Sequence, residues 1–311
     1  MSNQEVKNQP ASVRQKLLNL ARERNDDFGL LLMKYALERI LYRLSLSKHH
    51  DLFILKGAML FELWTQQTYR PTRDLDFLAR GKNDVDRLVT IVRDVCSQET
   101  VADGLTFDPK SIVGERIKED ADYAGVRIQF VSFLGNARIP IQIDMALGDV
   151  VTPDPLEIEY PTLLDMPAPK VLAYPKESVV AEKLEAMVTL GMANSRMKDF
   201  YDLHSLSEQL TFEGALLAKA VYQTFLRRKT EIPEGPPLAL TEEFYRDESK
   251  NKQWDAFCNR NKLYVKARPL EQVAKDLQAF LGPVLRTLSS KKEFDTSWSL
   301  GGPWRAAHHI S

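Results

Sequence analysis

The sequence is poor in cysteine, nearly balanced in charge and free of long apolar runs, and each lack excludes a class of protein. Its 311 residues include two cysteines, Cys96 and Cys258. Two residues so far apart build no disulfide framework and no zinc-ligand spacing, which suits a reducing compartment. Forty-two Lys and Arg against 43 Asp and Glu leave a formal charge of -1. Any nucleic-acid contact must then come from a local basic patch, because there is no global positive field. The longest apolar runs, such as 30–33 and 179–181, fall far short of a membrane span. The polar start MSNQEVKNQP has no apolar signal core. The expectation is a cytoplasmic protein with no membrane partner. The histidines have no metal-ligand spacing with the carboxylates, and no Ser/His/Asp or Cys/His arrangement emerges.

What is present is ordinary globular composition, with 44% hydrophobic and 27% charged residues in a length that suits two domains. The first fifty residues carry apolar side chains at helical spacing, including Val13, Leu17, Ala21, Leu32, Tyr35, Ala36 and Ile40. Leu52-Phe53-Ile54-Leu55 reads as a buried strand ending at Lys56-Gly57-Ala58, with a helix from Met59 to Trp64 behind it. Asp74-Leu75-Asp76-Phe77-Leu78 alternates with period two. A helix over 85–95 follows, and then two alternating runs within 124–149 joined by a loop at Gly135-Asn136. Six of the 16 prolines crowd into residues 153–175, which marks an extended crossing segment. Beyond it 177–192, 196–210, 213–228, 240–258 and 270–288 read as helices. The expected fold class is α+β, with domains at 1–150, 151–175 (the Pro-rich crossing) and an all-α 176–311.

Asp74 and Asp76 lie two apart on a strand and so share one face, with Leu75 and Phe77 turned to the core. Two carboxylates held together repel unless they sit in water or share a cation. Hard divalent cations take such oxygens together with substrate phosphates. Asp144, in the strand-like Ile141-Gln142-Ile143-Asp144-Met145, can complete a three-carboxylate cluster of the kind that holds metals for phosphoryl transfer. A solvated strand edge accounts for the same triplet. Gly57, between strand and helix, suits a phosphate cradled by backbone N–H groups, or simply a tight turn. Thr72 and Arg73 offer a hydroxyl and a positive charge to phosphate oxygens, or a local turn bond. Lys183 on one helix, with Asp199 and Asp202 at i and i+3 on the next, forms either part of a nucleotide site or an ordinary ion-pair set. Within 250–268 six basic residues, among them Lys262, Lys266 and Arg268, interleave with Trp254, Phe257 and Tyr264. That pattern suits single-stranded RNA, and equally a solvated helix face.

Leu55-Lys56-Gly57-Ala58 followed by Thr72-Arg73-Asp74-Leu75-Asp76-Phe77 resembles the nucleotidyltransferase signature of the polymerase β-like superfamily. Ile143-Asp144-Met145 is similar to its third-carboxylate strand. Glu182-Lys183-Leu184-Glu185-Ala186, with Arg196-Met197-Lys198-Asp199-Phe200-Tyr201-Asp202-Leu203, resembles the AbiEii/AbiGii-type toxin branch. The resemblance spans about residues 50–210. It implies a bilobed protein, a nucleotidyltransferase-like mixed sheet with flanking helices followed by a helical domain. It also implies transfer of a nucleoside monophosphate from an NTP to RNA, above all tRNA, with Mg²⁺ or Mn²⁺ as cofactor, a block of translation and a cognate antitoxin. By position it gives Asp74, Asp76 and Asp144 to metal and Lys183 to the triphosphate. Lys56, Gly57, Ala58, Thr72 and Arg73 fall to the nucleotide, and Asp199 and Asp202 match the catalytic pair of the helical motif. Ala58 departs from the family's Gly or Ser and removes a possible hydroxyl contact to phosphate. A catalytically degenerate nucleotide- or RNA-binding module, or a glycosyltransferase using Asp74-x-Asp76, would share parts of this pattern. The last hundred residues carry no motif of the family.

Overall fold

The computed structural model describes residues 8–65, 72–82, 84–120, 123–261 and 268–306. They divide into two compact units. The first takes in the chain through Leu63, the stretch to Gly148, and Leu156–Ala173; the second takes Trp64, Asp149–Pro155 and the described chain from Tyr174 onward.

In the first unit, α1 (Gln9–Arg24) and α2 (Phe28–Leu46) precede β1 (Phe53–Lys56), α3 (Met59–Thr65), β2 (Asp74–Ala79) and α4 (Val85–Cys96). Then come β3 (Leu105–Phe107), β4 (Val113–Asp120), β5 (Tyr123–Leu134), β6 (Ala137–Leu147), β7 (Leu156–Glu159) and β8 (Lys170–Ala173). Asp27 caps α2 by accepting the Leu30 N–H at 2.9 Å, and Asp84 caps α4 by accepting that of Arg87 at 2.7 Å. The strands form one mixed sheet in the order β3-β5-β6-β2-β1-β8-β7, with β4 also on β5. β2 runs parallel to β6 and β1 parallel to β8; the other pairs are antiparallel.

The alternation read in the sequence sorts the two faces. Leu75, Phe77, Val126, Ile128, Phe130, Ile141, Ile143 and Met145 are buried. They belong to the face over which α1, α2 and α4 pack. The residues between them point to the opposite face, which is where the charged side chains collect. β7 and β8 lie inside the Pro-rich segment that the sequence marks only as extended. β3 and β4 are likewise absent from the periodicity reading, since their short or exposed runs carry no strong alternation.

The second unit is mainly helical: α5 (Lys176–Leu190), α6 (Met197–Gln209), α7 (Gly214–Arg228), α8 (Glu242–Tyr245), α9 (Glu248–Asn261) and α10 (Leu270–Ser289). The single helix read over 240–258 is two, separated at Arg246 and Asp247. The unit also has a small antiparallel sheet of β9 (Phe212–Glu213), β10 (Thr296–Trp298) and β11 (Trp304–Ala306). Its aromatic side chains explain it: Phe280 lies 4.8 Å from Trp298 and 5.9 Å from Trp304, centroid to centroid. Among the described residues no helix is long and apolar enough to cross a membrane.

Candidate functional site

Strand register assembles a row of charge across the polar face of the first unit's sheet. Lys56 on β1 pairs with Asp76 on β2, Asp76 with Asp144 on β6, Asp144 with Arg127 on β5, and Arg127 with Glu115 on β4. The row therefore reads Lys, Asp, Asp, Arg, Glu over five adjacent strands. The next row along places Asp74 beside Gln142 and Gln142 beside Gln129. Asp74, Asp76 and Asp144 each offer a carboxylate oxygen within 4.8 Å of the others'. All three are at least partly withdrawn from solvent, with Asp144 buried.

Each carboxylate is held differently. Asp74 Oδ1 accepts the Thr72 hydroxyl at 2.7 Å, the local bond that the Thr-x-Asp spacing allows. Asp76 packs against Gly57, whose φ is +77°. A Cβ at position 57 would stand 1.9 Å from Asp76 Oδ2. Glycine is thus required twice, by backbone conformation and by the approach of the carboxylate. Asp144 takes a two-pronged bond from Arg127, Nε to Oδ1 at 2.8 Å and Nη2 to Oδ2 at 2.7 Å. Gln142 Nε2 adds a contact to Oδ2 at 3.3 Å. The bond to Asp144 raises the Arg127 pKa, with Asp144, Glu115 and Asp74 adding charge attraction.

Three acidic oxygens gathered this closely form a hard donor set that suits Mg²⁺ or Mn²⁺. Lys56 is half-buried, Ala58 buried and Arg73 exposed. Arg73 lines a cavity of about 680 Å³ that also has Gln129, Arg138 and Gln142 in its wall. Arg127 and Glu115 escape a reading of the sequence because a lone charge on the polar side of an alternating strand looks like any solvated residue. Only the register shows that they flank Asp144.

In the second unit Lys183, on α5, donates to Asp199 Oδ1 at 2.6 Å and to Asp202 Oδ2 at 2.9 Å on α6. Arg196 Nε donates to Asp199 Oδ2 at 2.6 Å. Both aspartates have no exposed surface. Burial pushes the Asp199 carboxyl up, but Lys183 and Arg196 outweigh it and hold it below the usual carboxylate range. The i, i+3 spacing therefore does bring both aspartates onto one lysine. A separate cluster has Arg228 on α7 donating to Glu185 at 2.8 Å and to Asp149 at 3.3 Å.

Of the basic patch, Lys262 and Lys266 lie outside the described residues. Arg268 is about half exposed and pairs with Asp276 at 2.9 Å and Glu208 at 3.3 Å. Lys250 and Trp254 are buried, the lysine donating to the Asn194 carbonyl at 3.0 Å and the indole to that of Arg268 at 3.0 Å. Neither is available to stack on or pair with a nucleic acid.

A strand-borne acidic triad thus lies beside a glycine turn on a mixed sheet. The family model described as nucleotidyl transferase AbiEii toxin, type IV toxin–antitoxin system, matches residues 39–296. The chain belongs to this family, and so to the nucleotidyltransferases of toxin–antitoxin systems. Membership points to a nucleotide substrate and an antitoxin partner. No curated protein matches the sequence. Among solved structures, JHP933 from Helicobacter pylori is similar at 15% identity and a TM-score of 0.48, covering 84% of this chain and 94% of that one. A second H. pylori chain, provisionally described as a nucleotidyltransferase, is similar at 15% identity and a TM-score of 0.49, covering 85% of this chain and 97% of its own. At these scores neither likeness carries weight for fold or activity.

Proposed function

We propose that the chain transfers a nucleoside monophosphate from an NTP to RNA, with tRNA as the acceptor, in the cytoplasm, and so blocks translation until an antitoxin neutralises it. The observation that carries this reading is the convergence of Asp74, Asp76 and Asp144 beside Gly57 in a chain of this family. In the reaction an acceptor hydroxyl attacks the α-phosphorus of the NTP and pyrophosphate leaves. Mg²⁺ or Mn²⁺ held by the three carboxylates would supply positive charge where negative charge develops on the phosphate oxygens.

The chain's own residues do the rest. Lys56 pairs with Asp76 in register, Gly57 abuts that aspartate, and Thr72 and Arg73 precede Asp74 in sequence; these four and Ala58 are assigned to the nucleotide, and Ala58 leaves only backbone donors there. Lys183 is assigned to the triphosphate, and Asp199 and Asp202, which both accept from its ammonium, are assigned as the catalytic pair of the helical motif. The nucleotidyltransferase domain is assigned to 1–150 and a helical domain to 176–311, with 151–175 as the Pro-rich segment between them in sequence.

The test incubates purified protein with Mg²⁺, each labelled NTP in turn and total tRNA, beside Asp74→Ala. Label entering RNA with the wild type alone supports the reading. NTP binding without transfer to any RNA moves the weight to a degenerate binding module.

A further inference from the structure

Arg127 stands in the cross-strand row between two carboxylates, Asp144 on β6 and Glu115 on β4. Its guanidinium engages both oxygens of Asp144 at 2.8 and 2.7 Å, and Gln142 reaches one of them as well. A planar fork on a carboxylate neutralises its charge and takes a lone pair on each oxygen, and Gln142 takes another. A divalent cation and Arg127 therefore compete for the same oxygens. Arg127 is not locked there by packing, since about a third of its side chain (32%) is exposed. Glu115, exposed and directly across the strand pair, offers the alternative seat.

We propose that Glu115, Arg127 and Asp144 form a two-position device: Arg127 neutralises Asp144 until a divalent cation takes that carboxylate, and Glu115 then receives the guanidinium. The proposal rests on the reading of Asp74, Asp76 and Asp144 as metal ligands. It gives Arg127 a task before a cation binds. Asp76 and Asp144 are adjacent in register, and like charges so placed repel. Arg127 offsets that repulsion and keeps Asp144 in place. In exchange, the device lowers affinity for the cation.

The test measures Mn²⁺ binding to the full chain without nucleotide, by calorimetry or by the electron paramagnetic resonance signal of free Mn²⁺. Arg127→Lys keeps the positive charge but loses the fork, so it should bind Mn²⁺ about fivefold more tightly than wild type. Glu115→Gln removes the alternative seat and should bind about twofold more weakly. In the Asp144→Asn background the gain from Arg127→Lys should vanish. Thermal melts establish that each variant is folded, and Arg127→Gln replaces Arg127→Lys should the latter unfold. Unchanged Mn²⁺ affinity in Arg127→Lys, or a gain that survives Asp144→Asn, overturns the proposal. Should these shifts appear in a protein whose wild type transfers no nucleotide, the device stands and the proposed activity falls.

Discussion

Gly57 and Asp76 touch so closely that any Cβ at position 57 must displace the aspartate: it would lie 1.9 Å from Oδ2 and 2.7 Å from Cγ. The glycine also holds φ at +77°, where an L side chain is strained. Gly57→Ala should therefore displace the Asp76 carboxylate. Because a shift of about 1 Å in a reacting group can cost about 100-fold in rate, nucleotide transfer should fall by about that factor. Kinetics of the Ala variant, with its thermal melt as a control for folding, check this. Wild-type turnover in the variant would remove Asp76 from the chemistry.

Lys183 is the counterion of two fully buried aspartates. Lys183→Met leaves Asp199 with Arg196 alone and Asp202 without the lysine, so destabilisation of about 3 kcal/mol or more is expected by denaturant titration. Adding Asp202→Asn to Lys183→Met should restore part of that loss while leaving transfer absent. The partial recovery separates the lysine's structural part from its proposed contact with the triphosphate. A Lys183→Met protein as stable as wild type would mean that the ion pairs contribute nothing net.

These two sites show what a sequence can and cannot disclose. Period-two alternation placed Asp74 and Asp76 on one face because Leu75 and Phe77 had to be buried, and helical spacing placed Asp199 and Asp202 together. Those are local periodicities, readable without a partner strand. The position of Asp144 beside Asp76, and of Arg127 and Glu115 beyond it, depends on which strands pair and in what register. That is a non-local property. β7 and β8 stayed hidden because prolines around them mask short strands, and β9–β11 because two or three residues show no period. Burial of Lys250 was equally invisible, since a lysine in a charged run looks solvated until the fold brings the Asn194 carbonyl to it.

Glu38, in the interior of α2, gives a pH-dependent stability of definite sign. Burial pushes its carboxyl up to about 7, against the lowering effects of the Leu163 N–H, Arg39 and Lys34. The unfolded group titrates near 4.5. Between these values the folded state holds more protons than the unfolded one, so the contribution is complete at low pH and is lost as pH rises through about 7. The slope from this group is at most about 1.4 kcal/mol per pH unit. Glu38→Gln can still accept the Leu163 N–H, which Glu38 holds at 2.7 Å. Denaturant melts from pH 5 to 8 should show the difference between wild type and Glu38→Gln growing with pH in favour of the variant. A constant difference would mean that Glu38 stays ionised throughout.

Arg268 follows Lys262 and Lys266 in sequence and is tied to Asp276 and Glu208. With about half its side chain exposed, those pairs are worth little, so Arg268→Ala should change stability by less than about 1 kcal/mol. Should the 250–268 segment track an RNA backbone, Arg268 must leave its acids for a phosphate. RNA affinity would then fall, and the slope of log affinity against log salt would shrink by about one contact in the alanine variant. Filter binding of tRNA over a range of salt concentrations reads both quantities. Slope and affinity both equal to wild type place Arg268 off the RNA path, whereas an unchanged slope with equal loss of affinity at every salt concentration would reflect altered folding of the segment and not a lost phosphate contact.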